Sequence, residues 1–288
     1  MKFIDTHTHI NLRAFKDDAI ETIQRSLDAG VAVVNVGTQI DTSRQAVNLL
    51  DKFSENVYAV IGLHPSHTYA HDFEDEEEVK HKTQEEHFDV QLYRNIVENA
   101  GSNANRIVGI GECGLDYYRL PVDRDIEEIK SLQHKAFQSQ IDLAIELDMA
   151  LCVHCRPSDG TEDAYQDMLQ IIAQTKQQHP QLRFEIHCFT GSADTAVKFV
   201  ELGGYIGLNG IITFDRTDRS KEVVQALSLD AIILETDAPY LTPKSMRGKR
   251  NEPSYLPEVA EKIAEWKGIS TEEVAMATTN NAKKLFNL

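Results

Sequence analysis

The chain has 288 residues, 41% of them apolar, with 11 Phe and 9 Tyr; this is enough to bury one large core, and α/β barrels of this size are single domains. Its 29 Lys and Arg stand against 46 Asp and Glu, a formal charge of −17, which excludes broad coating of nucleic acid yet leaves room for a locally cationic cleft. No apolar run approaches the ~20 residues of a membrane span, and four cysteines without a secretory leader (Cys113, Cys152, Cys155 and Cys188) read as free thiols of a cytoplasmic protein.

Short β-branched runs alternate with amphipathic helical stretches. Lys2–Thr6 is the first predicted strand and Asp17–Ala29 the first helix. Strand Val31–Val36, helix Ser43–Phe53 and strand Val57–Ile61 follow. From His71 to Asp89 the sequence carries nine acids, two Lys and three His, which reads as a solvated acidic insertion at about 66–100, since such blocks are usually surface. Strand Arg106–Ile110, helix Arg124–Leu147, strand Ala150–Val153 and helix Thr161–Lys176 come next, then strands Arg183–Ile186, Gly204–Leu208 and Ala231–Leu234. The tail Leu256–Phe286 reads as two helices broken at Gly268-Ile269-Ser270. Eight strand–helix alternations without a linker or repeat predict one domain over 1–288, a closed parallel (β/α)8 barrel of the TIM type, with a doubly wound sheet as the alternative.

Chemistry-bearing residues recur where these strands end. His7 and His9 lie two apart at the end of strand one, so both imidazoles share a face. Glu112 follows strand four, His154 ends strand five, His187 ends strand six and Asp237 follows strand eight. In a barrel these positions share the active rim. Buried polar groups without partners are costly, so six metal-capable residues there point to a shared purpose. Six ligands exceed one zinc and suit two adjacent divalent cations sharing a carboxylate. Asp237 is expected to serve as ligand and general base.

Eight motifs, DTHTH, GLHP, GECGLDYYR, HCR, HCFTG, NGIITF, ETDAPYLTP and RGKRNEP, occur in one order over essentially the whole chain and resemble those of the TatD family of metal-dependent deoxyribonucleases. The resemblance implies an amidohydrolase-like barrel of the metal-dependent hydrolase kind and magnesium-dependent DNase activity, including 3′–5′ exonuclease action. It implies that His7, His9 and Asp237 hold a first metal, that His154 and His187 hold a second, and that Glu112 bridges them and is catalytic with Asp237. It implies that His64 contacts the scissile phosphate. The chain departs from the pattern at Ser66, where the family often has a second His (His67 is one further on). It also departs at Cys113, usually aliphatic, and at Cys155, where Ser is common.

Cys152-Val-His-Cys155 straddles a strand end, so its thiols diverge and do not form a redox pair. Arg156, Arg119 and the loop Lys244–Arg250, above all Arg247 and Arg250, are candidate phosphate contacts on the rim. Tyr117, Tyr118 and Phe189 are candidate stacking rings. The expected substrate is DNA, single-stranded or at 3′ ends, with two cations drawn from Mg, Mn or Zn, no membrane and no obligate protein partner. Two other readings are an ester or amide hydrolase, such as one deacylating misacylated tRNA, and a metal-bound scaffold binding through the acidic insertion.

Overall fold

The computed structural model describes residues 1–70, 85–118, 120–121 and 124–288, together with the backbone of 72–74 and 80–82. Eight parallel strands follow one another around a barrel: β1 (Phe3–Thr8), β2 (Val31–Val36), β3 (Val57–Ile61), β4 (Ile107–Asp116), β5 (Ala150–Arg156), β6 (Phe184–Ile186), β7 (Tyr205–Leu208) and β8 (Ile232–Leu234). Their near-continuous apolar runs are those of a sheet covered on both faces. Along β2, Val31 and Val33 pack outward into the layer beneath the helices, whereas Ala32, Val34 and Val36 face the interior with Ile4, Val60, Val108 and Ile233. The helices between strands are α1 (Ala19–Asp28), α2 (Ile40–Leu50), α3 (Val90–Glu98), α4 (Ile126–Glu146), α5 (Asp163–Gln178), α6 (Ala193–Glu201) and α7 (Arg219–Ala226).

Two more helices complete the chain. α8 (Leu256–Lys267) ends at Gly268, whose φ of 68° closes it in the left-handed region. α9 (Thr271–Phe286) opens on a capping box of Ser270 and Glu273. Its last turn sends Ala282, Leu285 and Phe286 into the interior cluster of the barrel.

The seam between β1 and β8 is closed by a carboxylate. Asp5 is fully buried; its Oδ1 accepts from the amides of Thr236 (3.0 Å) and His7 (3.2 Å), and its Oδ2 from the Thr236 hydroxyl (2.5 Å). The Asp237 amide donates to His7 O at 2.8 Å and the His9 amide to Ala238 O at 2.7 Å. The first residue of the DTHTH motif therefore holds the two ends of the sheet together.

Two register shifts shape the mouth of the barrel. One lies in β1 between Asp5 and Thr8, the other in β4 between Gly111 and Cys113. Such bulges re-aim the side chains beside them, here His7 and Glu112. Gly111, at φ 155°, lies so close to Cys152 O that a Cβ there would collide with it.

The segment between β3 and α3 differs in part from the expected solvated insertion. Positions 71, 75–79 and 83–84 lie outside the described residues. The backbone pairs Asp72–Glu74 with Lys80–Lys82 as a short antiparallel ribbon. Glu86, however, is tied inward: it takes the Tyr93 hydroxyl at 2.8 Å and the Ile40 amide at 3.2 Å. Asp89 caps α3 through the amides of Gln91 and Leu92.

Candidate metal centre

At the C-terminal mouth, β1, β4, β5, β6 and β8 bring His7, His9, Glu112, His154, His187 and Asp237 onto one spot. Glu112 stands in the middle and is 4% exposed. Because β4 runs on to Asp116, Glu112 lies inside the strand rather than after it. Its Oε2 is 3.4 Å from His7 Nε2 and 3.5 Å from His9 Nε2. Its Oε1 is 2.9 Å from His154 Nδ1 and 3.2 Å from His187 Nε2. Asp237 Oδ1 joins the first group, 3.8 Å from His7 Nε2 and 3.4 Å from His9 Nε2. The two imidazoles of that group are 3.1 Å apart, Nε2 to Nε2. Donors on a tetrahedral cation at about 2.0–2.1 Å lie about 3.4 Å from one another, so the donor spacing fits a cation in each group.

Three of the four remaining ring nitrogens meet a hydrogen-bonding partner. His9 Nδ1 donates to Val36 O at 2.9 Å, and His7 Nδ1 faces the Cys152 thiol at 3.1 Å. His154 Nε2 faces Asp116 Oδ2 at 3.1 Å. His187 Nδ1 lies 3.3 Å from Glu235 Oε1, which also takes the amide of Cys188 and the side chain of Asn209. A carboxylate behind a ligating imidazole orients the ring and raises its basicity. Asp116 and Glu235 are not singled out by the motif pattern. Their signal is one of spacing: Asp116 is four residues beyond Glu112 in GECGLD, a same-face interval along β4, and Glu235 is two before Asp237 in ETD, just past the end of β8.

Electrostatics bind this cluster together. Burial opposes ionisation of Glu112, yet His64, His187 and His7 outweigh it and hold the carboxyl well below the usual range. Asp237 is lowered too, against its burial, chiefly by the hydrogen bond with His9. Asp116, with burial again opposing, is held at about 2 by His154.

His64 sits at the edge of the centre, its Nε2 3.5 Å from Glu112 Oε1. Its Nδ1 accepts from the Ser66 amide at 3.1 Å, so the ring proton resides on Nε2, pointing into the site. Burial, then the neighbouring His154, pushes its pKa down to about 3; it is a neutral donor. Ser66, at the position of the expected second histidine, therefore fixes the tautomer of the first.

The predicted phosphate contacts divide. Arg156 follows His154 on β5 and lies 3.9 Å over the Tyr118 ring, which is 47% exposed. Arg247 is exposed, 5.7 Å from the Phe214 ring. Arg250 turns away: it donates to Asp18 at 2.6 and 2.8 Å and to Ala14 O at 2.7 Å, and packs on Phe15. The nearby carboxylate wins this guanidinium for the fold, and the expectation of a substrate contact is corrected. Arg119 lies outside the described residues. Tyr117 is buried with its hydroxyl on Asp167 and His134, and Phe189 is buried against Tyr165 and Phe199, so both rings pack the fold and only Tyr118 is free to stack. Cys113, Cys152, Cys155 and Cys188 are free thiols.

Known proteins resemble the chain in sequence and in fold. The family model described as TatD related DNase matches residues 4–287. The uncharacterized metal-dependent hydrolase YabD of Bacillus subtilis is 35% identical, over 99% of this chain and 98% of its own. The 3′-5′ ssDNA/RNA exonuclease TatD of Pantoea ananatis is 29% identical, over 99% of each. The crystal structure of the TatD homolog YJJV from Escherichia coli K12 superposes with a TM-score of 0.81 at 26% identity, covering 100% of this chain and 98% of that one. With the family model and a relative of that similarity spanning it nearly end to end, the chain belongs to the TatD-related DNase family.

Proposed function

We propose that this protein is a metal-dependent phosphodiesterase that removes nucleotides from the 3′ end of single-stranded nucleic acid, with two divalent cations at the mouth of its barrel. The observation that carries the reading is the orientation of Glu112, one oxygen toward His7, His9 and Asp237 and the other toward His154 and His187. A cation pair, when bound, offsets the charge on the attacking and leaving oxygens of an in-line displacement.

The protein's own groups do the rest. Asp237, at the open side of the first donor set, takes the proton of the attacking water. His64 donates its Nε2 proton to a phosphate oxygen. Arg156 supplies a charge-assisted fork to the same phosphate. Asp116 and Glu235 hold the rings of His154 and His187. Relatives named as ssDNA/RNA exonucleases and guanidinium groups near the mouth of an acidic protein support a nucleic-acid substrate. Mixed imidazole and carboxylate donors suit Mn or Zn and admit Mg. Free thiols fit a reducing, cytoplasmic setting.

A digestion panel of labelled single-stranded DNA, duplex DNA, RNA and aminoacyl-tRNA with Mg²⁺, Mn²⁺ or Zn²⁺ tests the reading. Stepwise shortening of single strands from the 3′ end is expected. Deacylation of aminoacyl-tRNA with no phosphodiester cleavage would overturn it.

A further inference from the structure

A cavity of about 320 Å³ lies beside the mouth, between the loops that follow β7 and β8 and the flank of α7 and α8. Five cations line it: Arg216, Lys221, Lys244, Arg247 and Lys262. In a chain of net charge −17, such a concentration of positive charge is anomalous. Of the five, only Lys262 has an ion-pair partner among the described residues, Glu265 at 2.8 Å. Two carboxylates share the cavity, Asp215 and Asp218. Asp215 is already committed: it takes the amides of Thr217 (2.7 Å) and Ser220 (2.9 Å) at the start of α7.

Two rings stand among these cations. Arg247 is 5.7 Å from the Phe214 centroid and Lys262 is 5.0 Å from that of Trp266. Both rings are half-buried, so each still offers surface. Cations beside aromatic faces are the parts that single-stranded nucleic acid needs, charge for the backbone and a face for the base.

The cavity is also built into the rim. The Lys244 amide donates to Thr213 Oγ1 at 2.9 Å, joining the two loops. Asn209, just after β7, donates to Glu235 Oε1 at 3.0 Å, and Glu235 stands against His187. Lys244 lies only seven positions beyond Asp237, at most about 25 Å of extended chain. In (β/α)8 barrels, the loops after strands seven and eight are a frequent place for phosphate binding.

We infer that this cavity is a nucleotide subsite for the substrate strand away from the cleaved bond: Lys244 and Arg247, with Lys221 and Lys262, hold a backbone phosphate, and a base lies against Trp266 or Phe214. The inference rests on the nucleic-acid reading above. It accounts for unpaired cations gathered on one flank of an acidic barrel, and it gives Arg247 a phosphate distinct from the scissile one. On this assignment a dinucleotide, taken up by the cleaved bond itself, leaves the cavity empty, whereas a longer strand occupies it.

Trp266 is the one tryptophan of the chain, which makes the test direct. The metal-loaded protein is titrated with a cleavage-resistant phosphorothioate 12-mer of thymidine. Tryptophan emission and the anisotropy of a labelled strand are followed at several salt concentrations. A saturable change in Trp266 emission is expected, in step with anisotropy. Lys244→Ala/Arg247→Ala should weaken binding at least about tenfold and flatten the salt slope by up to about 0.7, the contribution of one phosphate contact on a single strand. The same double variant should raise KM for the 12-mer with an ordinary backbone and leave KM for a dinucleotide unchanged. Trp266→Phe, which keeps a ring, should bind as the parent does. Binding and cleavage of the 12-mer with unmoved emission, or with an unaltered salt slope in the double variant, overturn the subsite and leave the proposed function standing. Neither binding nor cleavage by the parent protein contradicts the reading on which the subsite rests.

Discussion

Asp116 offers a prediction that separates the two halves of the proposed metal centre. Its Oδ2 lies 3.1 Å from His154 Nε2, and its Oδ1 accepts from the Tyr118 amide at 3.0 Å. At 3.1 Å, a full charge pair at an effective dielectric of about 20 would interact by about 5 kcal/mol. A metal-bound imidazole is neutral, so the carboxylate acts only on a polarised N–H, and the effect is smaller. Loss of such a partner typically costs about 10- to 100-fold in metal affinity, about 1.4–2.7 kcal/mol. Asp116→Ala should therefore weaken one of two bound equivalents by that factor. The equivalent held by His7, His9 and Asp237 should be unchanged. Asp116→Asn keeps the bond to the Tyr118 amide but loses the charge, and should fall between the two proteins. Competition with a chromophoric chelator resolves two binding steps. Unchanged affinity at both steps would refute the positioning role, as would equal weakening of both.

Other consequences are equally open to measurement. His64→Gln should retain its metal and lose about 10²- to 10³-fold in kcat, the usual effect of removing one donor to a developing oxyanion; metal loss would instead make His64 a ligand. Arg250→Ala should lower stability by about 1–2 kcal/mol through the lost Asp18 and Ala14 bonds, and leave the salt dependence of cleavage unmoved; a flattened salt slope would restore Arg250 as a phosphate contact. Stripping the metal with a chelator should lower the unfolding temperature, because a cation present at about 100 times its Kd stabilises the native state by about 2.7 kcal/mol. An unfolding temperature indifferent to the chelator would contradict a preformed cation site.

Much of the barrel is legible in one dimension because each strand buries both faces and reads as an apolar run. Val31–Val36 and Val57–Ile61 have the predicted bounds, and the Gly268 break separates the last two helices. The limits of β4 and β5 are less visible, since their polar ends, Glu112–Asp116 and His154–Arg156, continue as strand. The six mouth residues stand out because each polar group follows an apolar run. The groups behind them do not, because Asp116 and Glu235 differ from ordinary rim acids only in what they touch. Asp5 reads as part of a ligand motif and proves to be the clasp of the seam. Arg250 lies in a basic loop that suggests phosphate, and only the fold brings Asp18 to it. Glu86 falls in an acidic run that suggests solvent, yet Tyr93 and Ile40 draw it inward.

The proposed two-cation centre depends most on Glu112, and one measurement on two variants tests it. Native mass spectrometry and elemental analysis count the metal bound to the parent chain, Glu112→Gln and Glu112→Ala, with nuclease activity measured on the same samples. Two equivalents are expected in the parent. Both variants should lose at least one equivalent and nearly all cleavage, with the fold intact by circular dichroism. Full occupancy with near-normal cleavage in Glu112→Ala would contradict the bridging carboxylate and leave a single cation at His7, His9 and Asp237.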